Sequence, residues 1–482
     1  VAAAKVTFAT EEPVAHAEQM TRTTISHQLN NGATPYWSAG DKIWVKGTDG
    51  NFQQSGAGTF NSARTHGVFA LSGTFADGCA VNYTGTNGTA GNKVTISEHQ
   101  TQAQPNDFSH AGVSGDCGSA LASGDGQTFK FKLDHKASYL CFLPRCENGA
   151  LAPNVKLKNI KITALNGGPI SGLFIFDGEN IGTGTPPVYN NIEVLLLNLP
   201  HLSTTANQTA NATYLAVRPG TYDFKIEYTI KDPTTNVETV ITDIRTGITL
   251  EKENIYDVKA NLAPARDYSR LYYMWDAQRD YWYGYEWTHK NPAWQPTIAF
   301  GLPGATTSTF FPSITGSRWY HGGSTFAGFN ATQSCASSPN ANEMAWYVKK
   351  GDPYWDADEL WTTMGHLYKG GMWFKKKAYI SGFNANTAVD GTDWQIHMNV
   401  YSKALISHIL PNAADASKYF YLPALGWYVS GQQDYVGMFG YYWSSSAQPG
   451  GSNGAYHLEI GSGNVGVSHT SSSTGFRVGA FE

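Results

Sequence analysis

Aromatic side chains form the most concentrated set of residues with binding potential in this chain. Residues 281–287 have the sequence YWYGYEW, and Trp294 follows in the same turn-rich stretch. Aromatic faces can stack on sugar rings or anchor a protein interface at low entropy cost. The alternative is that these rings fill the core of a domain that has few aliphatic residues. We predict ligand binding by Trp282, Trp287 and Trp294.

Carboxylates are densest in one short segment, which contains Asp352, Asp356, Asp358 and Glu359. A calcium site needs several such oxygens. The same residues also suit the N-terminus of a helix, where carboxylates meet the positive end of the helix dipole. We favour the helix interpretation and predict no metal site.

Catalytic motifs are missing from the sequence. There is no Gly-x-Ser-x-Gly elbow, no His-Glu-x-x-His and no phosphate-binding loop. The 14 histidines are scattered, and His135 lies beside an apolar strand, where a structural role is expected. We therefore predict no catalytic residue, no cofactor and no enzyme activity. A dispersed pair of carboxylates acting on glycans is the alternative that sequence leaves open.

The five cysteines do not form a metal-binding or redox motif, because no C-x-x-C and no Cys/His cluster with zinc spacing occurs. Cys141 and Cys146 flank a proline and could close a small loop, and Cys79 and Cys117 are a second candidate pair. Five free buried thiols are an equally compatible arrangement. Cys335 is left unpaired in either case, so cysteine-pair chemistry in the last part of the chain is not expected.

Composition excludes several classes of function. The net charge is −5 and there is no basic run, so nothing attracts the chain to nucleic acid or to anionic lipid. No apolar stretch approaches the roughly 20 residues that cross a bilayer. Residues 1–4 (VAAA) show neither a charged n-region nor an apolar h-region. We expect a mature, exported form that lacks its signal peptide, although a protein that was never exported would look the same.

The distribution of tryptophan divides the chain into two parts, which must position the residues described above. Trp37 and Trp44 are the only tryptophans before residue 265, and the other twelve of the 14 fall between Trp275 and Trp443. At 482 residues the chain is too long for one core, so several domains are expected. The change of domain type is predicted in residues 262–266.

Residues 1–264 have the period-two alternation of antiparallel β-structure. It is clearest in 221–230, where apolar residues from Tyr222 to Ile230 alternate with polar ones, and it recurs from Phe129 to Leu133. A change of phase between Leu157 and Ile160 predicts a β-bulge at Asn159. The glycine- and serine-rich segment 112–126 is the predicted break between two sandwiches.

Residues 265–482 are predicted to mix helices and strands. Asp356 and Glu359 have capping-box spacing, and the residues from Leu360 to Tyr368 then present one apolar helical face before Gly370. A second short helix is predicted over 400–409. From Tyr419 onward, short strands separated by Gly, Ser and Asn turns are expected.

Three segments of the first half resemble the fimbrillin family of Bacteroidales surface pilins. They are 20–24 (MTRTT) with 37–45 (WSAGDKIWV), 131–140 (FKLDHKASYL) and 247–258 (GITLEKENIYDV). The resemblance implies two tandem transthyretin-like β-sandwiches, over residues 1–127 and 128–264.

The last segments carry a second resemblance. Residues 419–428 (YFYLPALGWY), 440–446 (GYYWSSS) and 474–478 (TGFRV) are similar to the major paralogous domain of Bacteroidetes surface proteins, which is related to C-type-lectin-like folds. The segment 265–340 departs from that pattern. The predicted fold is thus mainly β: two sandwiches followed by an α+β C-type-lectin-like adhesion domain over 265–482.

The fimbrillin resemblance implies assembly by strand exchange. An N-terminal strand is removed by cleavage, for which Arg22 matches the site, and a strand of another pilin subunit fills the groove. The chain continues to residue 482 after Val258, and a folded domain cannot be threaded through a neighbour's groove. The resemblance therefore implies a pilus tip subunit that accepts a strand without donating one.

The implied partners are other pilin subunits and a host or microbial surface glycan or protein. The implied location is extracellular, on a fimbrium at the outer-membrane surface, with membrane anchoring only before processing. The rival interpretation is a monomeric outer-membrane lipoprotein that binds glycans, independently of any cleavage at Arg22.

Overall fold

The computed structural model describes residues 5–11, 24–29, 32–264, 266–269, 272–288, 295–296, 310–321, 329–450 and 453–482. The chain is mainly β, as the sequence predicts. It divides into two compact units, Val1–Ala263 and Pro264–Glu482. This division falls within the predicted change of domain type at 262–266.

The strands of the first unit are β1 Val6–Thr10, β2 Thr24–His27, β3 Ala33–Tyr36, β4 Trp44–Lys46, β5 Phe52–Gln54, β6 Thr59–Phe60, β7 Gly67–Leu71, β8 Cys79–Tyr83, β9 Lys93–Ile96, β10 His99–Gln102, β11 Gly118–Gly124, β12 Thr128–Phe131, β13 Asp134–His135, β14 Ser138–Arg145, β15 Lys156–Ala164, β16 Ser171–Phe176, β17 Ile181–Tyr189, β18 Asn191–Leu196, β19 Thr213–Val217, β20 Gly220–Asp232, β21 Val237–Leu250 and β22 Ile255–Asn261. The short helices are α1 Ala111–Ser114 and α2 Gln208–Asn211, with one 3₁₀ turn at Ala152–Asn154.

Five sheets are formed by the described residues of this unit. A nine-stranded sheet has the order β5-β4-β8-β11-β12-β1-β7-β6, with β13 paired to β11. A five-stranded sheet has the order β10-β18-β15-β20-β21. Two three-stranded sheets, β19-β14-β22 and β17-β16-β9, and the hairpin β2-β3 complete the set.

The period-two alternation of apolar and polar residues corresponds to alternating burial along the strand, as the sequence predicts. Strand β20 buries every second side chain from Tyr222 to Asp232, and the residues between them are half-buried. The bulge in β15 is also present, because the register with β20 shifts between Leu157 and Asn159. The extra residue, Lys158, keeps both Leu157 and Ile160 in the core.

Residues 112–126 are not the predicted break between domains. They contain β11, which pairs with β8, β12 and β13 inside the nine-stranded sheet. Their glycines permit close packing, since a Cβ at Gly124 would collide with the carbonyl oxygen of Thr128, and one at Gly118 would lie 2.9 Å from that of Asp134. Strand pairing also continues across the boundary predicted at 127/128, which lies in the hairpin between β11 and β12. The division into two sandwiches stays a prediction.

Two glutamines of β10 satisfy backbone hydrogen-bonding groups along and next to the edge strand β19. The amide of Gln100 donates to the carbonyl oxygen of Ala216 at 2.8 Å and accepts from its N–H at 2.9 Å. The amide of Gln102 bonds in the same way to the carbonyl oxygen of Ala212 and the N–H of Tyr214. Both glutamines are buried, so these amides supply the hydrogen bonds that a further strand would otherwise make.

The strands of the second unit are β23 Tyr272–Tyr273, β24 Tyr354–Thr363, β25 His366–Lys375, β26 Tyr401–Ala404, β27 Tyr419–Pro423, β28 Leu425–Val429, β29 Gln432–Val436, β30 Phe439–Ala447, β31 Gly454–Gly461, β32 Asn464–Ser471 and β33 Phe476–Arg477. Among its described residues, the one α-helix is α3 Ala341–Lys350, and 3₁₀ turns occur at Lys377–Tyr379 and Ala416–Lys418.

Two sheets are formed by the described residues of this unit. One follows the order β23-β33-β30-β31-β32-β26, with β28 and β29 attached through β30, and the other is β24-β25-β27. The short strands predicted from Tyr419 onward are present as β27 to β33. The C-type-lectin-like assignment itself stays a prediction.

The helix predicted over 356–370 is wrong, because this segment is the hairpin of β24 and β25. The carboxylate of Asp356 does accept the N–H groups of Asp358 and Glu359, each at 3.0 Å, as a cap would. These bonds turn the chain within a bulge, where the register shifts between Asp356 and Leu360. The other oxygen of Asp356 accepts from the indole of Trp373 at 3.1 Å, and this contact with β25 holds the bulge in the sheet.

The second predicted helix, over 400–409, is also wrong. Its first half is strand β26, which pairs with β32. Two of its apolar side chains lie in solvent, since Leu405 is 95% exposed and Ile409 is 84% exposed.

Helix α3 begins with a capping box at a different place. The side chain of Asn340 accepts the N–H of Glu343 at 2.9 Å, and the carboxylate of Glu343 accepts the N–H of Asn340 at 2.9 Å. One face of the helix, including Met344 and Val348, enters the core of the unit. Among the described residues, no helix has the length and apolar character needed to cross a membrane.

Candidate functional site

Strand β1 occupies an interior position in the nine-stranded sheet. It runs parallel to β12, with Phe8 beside Phe129, and antiparallel to β7, with Phe8 opposite Phe69. Its backbone makes further hydrogen bonds at both ends, from the N–H of Thr7 to Gln127 at 3.0 Å and from the N–H of Glu11 to Phe131 at 2.9 Å. The strand is therefore hydrogen-bonded along both edges.

The side chains of β1 alternate between the core and the other face of the sheet. Val6 and Phe8 are buried in the same apolar cluster as Trp37. The ring of Phe8 stacks on Phe129 with centroids 4.6 Å apart and meets Phe75 edge-on at 5.2 Å. The alternation Val-x-Phe-x-Thr is visible in the sequence and signals such a strand.

Removal of β1 would open this sheet. In the described strand pairing, β1 alone joins β12 to β7. Without it, two strand edges would expose backbone N–H and C=O groups, and the space of Phe8 would be an apolar pocket. Such a groove is the kind of surface that an added β-strand satisfies.

Arg22, the predicted cleavage position, lies outside the described residues. In chain order it stands between β1, which ends at Thr10, and β2, which begins at Thr24. A cut after Arg22 would separate β1 covalently from the rest of the chain.

The predicted ligand-binding aromatics lie around a cavity of about 220 Å³ in the second unit. Both Trp282 and Trp287 contribute to its lining. The full lining consists of Ser269, Tyr272, Tyr273, Gln278, Arg279, Asp280, Trp282, Tyr283, Glu286, Trp287, Thr288 and Gln295. A cavity of this size suits one sugar ring or one amino-acid side chain, since drug-sized sites are about 300–1,000 Å³.

The three predicted tryptophans differ in their surroundings. Trp282 lies in the core, where its ring meets Tyr428 edge-on at 5.5 Å. Its indole N–H has no hydrogen-bond partner among the residues that the structure describes. Trp287 is half-buried, and its backbone N–H donates to Gln295 at 3.1 Å. Trp294 lies outside the described residues. Ligand binding by these residues stays a prediction.

Charged and aromatic side chains both line the cavity. The guanidinium carbon of Arg279 lies 4.6 Å from the ring centroid of Tyr283, and Tyr283 is 47% exposed. Asp280 accepts the backbone N–H of Trp282 at 3.0 Å. Glu286 accepts the N–H of Gly284 at 2.9 Å. An exposed ring beside carboxylates is suited to a sugar, whose ring packs on the aromatic face while its hydroxyls donate to the oxygens.

The acidic cluster does not converge on one point. Asp356 is held by β25, as described above, and Glu359 pairs with Arg266 at 3.3 Å. Asp358 lies 3.6 Å from Lys369, and Asp352 accepts from the hydroxyl of Tyr419 at 2.8 Å. Each carboxylate thus has its own partner. The absence of a metal at this cluster stays a prediction.

His135 takes part in a buried network of the first unit. Its Nδ1 lies 2.6 Å from the carboxylate of Asp116, and this carboxylate also accepts from the hydroxyl of Tyr139. Burial, together with the negative charge of Asp116, raises the pKa of Tyr139 well above its usual value. These contacts account for a structural role of His135.

The cysteines form no disulfide in this structure. All five cysteines are free thiols, so neither candidate disulfide is formed. Burial raises the pKa of Cys335, and its Sγ accepts the N–H of Asp276 at 3.1 Å. A protonated, buried thiol is a poor nucleophile.

Comparisons with solved structures found distant likenesses. No family model matches the chain, and no curated protein matches it either. A Bacteroides ovatus protein proposed to act in cell adhesion is 13% identical, covers 54% of this chain and 94% of its own, and has a TM-score of 0.33. A similar Bacteroides fragilis protein is 11% identical with 54% and 94% covered and a TM-score of 0.31. A fimbrial protein from Bacteroides ovatus is 10% identical over 95% of this chain and 98% of its own, with a TM-score of 0.25. At such TM-scores the likeness carries no argument about fold or function.

Proposed function

We propose that this chain is an extracellular adhesion subunit that receives a β-strand from a neighbouring pilin subunit. Cleavage after Arg22 releases β1, and the incoming strand takes its place between β7 and β12. The main support for this proposal is the position of β1. It precedes Arg22 in the chain, and it joins β12 to β7 within the nine-stranded sheet. A replacement strand would restore both rows of hydrogen bonds and refill the pocket of Phe8.

The second unit makes this subunit a strand acceptor at a fimbrial tip. The chain that continues past β22 enters the compact unit Pro264–Glu482. A segment already folded into its own core cannot insert into a neighbour's groove without unfolding. In this proposal the second unit presents the ligand-binding surface, and any outer-membrane anchoring lies before the cut.

The strand-exchange proposal is tested with a labelled peptide of residues 5–11 (KVTFATE), used as the surrogate donor. The full chain is treated with an Arg-specific protease, and peptide binding is followed by fluorescence anisotropy. Binding is expected after cleavage and not before it. The Arg22→Ala protein is the control for cuts at other arginines, and a peptide with Asp in place of the phenylalanine is the control for the apolar pocket. Equal binding by cleaved and uncleaved protein would contradict the proposal.

We propose a glycan as the ligand of the cavity at Trp282 and Trp287. The exposed ring of Tyr283 beside Asp280 and Glu286 supports this choice over an apolar protein anchor. The test is a glycan array probed with the full chain and with Tyr283→Ala. Tyr379→Ala is the matched control, because Tyr379 is 52% exposed and is not among the residues lining the cavity. Loss of binding in both variants, or in neither, would contradict the assignment.

The peptide-binding assay separates the tip subunit from the monomeric surface lipoprotein. The lipoprotein would bind glycans and show no change in peptide binding after cleavage at Arg22. Assaying the array ligands for hydrolysis addresses enzyme activity, which we do not propose. Product formation abolished by Asp280→Asn or Glu286→Gln would replace the binding proposal with a glycosidase.

A further inference from the structure

Three potential metal ligands that are distant in sequence meet in the first unit. They are His27 at the end of β2, Cys141 in β14 and Asp257 in β22. One ligand atom from each lies within 4.8 Å of the other two. Among the described residues, this is the one group of at least three His, Cys, Asp or Glu side chains with that property.

Strand pairing fixes two of the three ligands. Strands β14 and β22 run parallel, and Cys141 and Asp257 are direct neighbours in their register. Neighbouring residues in a sheet project to the same face, so the thiol and the carboxylate lie side by side. The ring of His27 approaches from β2 and meets Tyr214 edge-on at 6.0 Å.

The hydrogen bonds of His27 define which nitrogen faces the other ligands. Its Nδ1 lies 3.0 Å from the carbonyl oxygen of Gly32. A carbonyl can only accept, so Nδ1 carries the proton, and in a neutral ring Nε2 presents its lone pair. That lone pair faces the Asp257 carboxylate at 2.8 Å. Two acceptors at this distance need a cation between them, either a proton or a metal ion.

We propose that His27 Nε2, Cys141 Sγ and the Asp257 carboxylate bind a zinc ion. A thiolate with an imidazole is a ligand pair suited to zinc, whereas calcium and magnesium select oxygen ligands. The Nδ1–H bond to a backbone carbonyl is the support that metal-binding histidines usually have. When zinc binds, the Cys141 thiol releases its proton to solvent, and the proton held between His27 and Asp257 is released as well, because the metal takes its place between the nitrogen and the oxygen.

Access and the fourth ligand position are provided on the side of Asp257. Its side chain is 23% exposed, whereas that of His27 is 2% exposed. An ion can therefore enter beside the carboxylate, and a water molecule can complete a tetrahedral set. The ligand atoms must move slightly apart when zinc binds. Atoms that each lie about 2.0–2.3 Å from zinc in a tetrahedron are more than 3 Å from one another.

The site would fasten β2 to the sheet β19-β14-β22. Strand β2 begins directly after the segment that contains Arg22, and its pairing partner is β3. Bound zinc therefore adds a link between β2 and two strands from the later part of the unit. This inference is independent of strand exchange and of ligand binding by the second unit.

The experiment measures zinc on the full chain. The protein is incubated with zinc chloride under reducing conditions, desalted, and analysed for metal by mass spectrometry. About one zinc per chain is expected for the wild type. Competition with a chelator should show affinity weakened at least about tenfold in Cys141→Ala and in Asp257→Asn. Cys79→Ala is the matched control, because Cys79 is a thiol outside the group and should retain the metal.

Two further measurements keep the proposal testable if a variant folds poorly. Cobalt added to the wild type should produce the charge-transfer absorption of a thiolate ligand. Zinc should raise the Tm of the wild type and leave that of Cys141→Ala unchanged, because a ligand stabilises only the state that binds it. Wild-type protein without bound zinc, or a Cys141→Ala protein that keeps its zinc and its cobalt absorption, would overturn the proposal in favour of a simple proton between His27 and Asp257.

Discussion

His457 lies on strand β31 with its imidazole buried among aromatic rings. Its ring centroid is 4.9 Å from that of Phe476 and 6.1 Å from that of Trp443. Burial, with a smaller contribution from the charge of His469, lowers the pKa of His457 to about 3. The unfolded chain binds a proton near pH 6.5, so it gains a proton on acidification before the folded chain does. The contribution of His457 to stability therefore falls as pH decreases below about 6.5.

The residue-scale prediction is that His457 contributes about 2 kcal/mol to the loss of stability between pH 7.5 and 5. His457→Gln removes the titrating group, so its unfolding free energy should change less with pH. The measurement is urea unfolding at both pH values, followed by near-UV circular dichroism. His408→Gln is the control for replacing a histidine at an exposed position. Identical pH dependence in wild type and His457→Gln would contradict this prediction.

Phe8 is expected to dominate the stability of β1 in the uncleaved chain. Phe8→Ala removes a buried ring that stacks on Phe129, at a cost of about 3–5 kcal/mol. Amide hydrogen exchange should accelerate in β7 and β12. Thr7→Ala is the control, since Thr7 is half-buried and points to the opposite face of the strand. Equal exchange rates in the two variants would mean that β1 does not hold this sheet together.

Among the secondary-structure elements, the hairpin of β24 and β25 shows why apolar spacing alone led to the wrong prediction of a helix. Trp361 and Tyr368 are seven residues apart, a spacing that suits a helical face. In the hairpin they are direct cross-strand partners, with rings stacked at 5.2 Å. The turn between them consists of Met364 and Gly365, both with positive φ, which is the conformation of a tight hairpin turn. The glycine at 365 was the local signal for this turn.

Helix α3 depends on its N-terminal cap. Asn340→Ala should destabilise the second unit by about 1 kcal/mol, because it removes the acceptor for the N–H of Glu343 and a hydrogen bond to Ala385. Thermal unfolding measures the effect as a lower Tm. Glu343→Gln is the control, since glutamine retains the reciprocal bond of a capping box. A Tm unchanged by Asn340→Ala would show that packing alone holds the helix start.

At the scale of the whole molecule, the two units have separate cores. One apolar cluster of the first unit surrounds Trp37 and Phe69, and one of the second unit includes Trp361 and Tyr428. Because burial within each unit supplies its stability, each is expected to fold without the other.

This autonomy is tested by inserting a specific protease site between Ala263 and Pro264. After cleavage, both fragments should stay soluble and keep their β-type circular dichroism. A matched site placed inside β20 is the control, and cutting there should unfold the first unit. If either half unfolds after the cut at 263/264, the two units depend on each other for stability.

The sequence alone determined the β-rich class, the alternating strands such as β20 and the bulge in β15. Each of these follows from the order of polar and apolar residues over a few positions, which the period of a strand translates directly into burial. Tertiary structure decided the rest. Whether 356–370 forms a helix or a hairpin depends on cross-strand partners, and whether β1 fills a sheet depends on β7 and β12. The meeting of His27, Cys141 and Asp257 likewise requires β14 to pair with β22 and His27 of β2 to lie against that pair. The contacts of β1 and of the three ligands join residues far apart in the chain, and the hairpin is also paired with the distant strand β27. Their energies are set by packing that no local pattern contains.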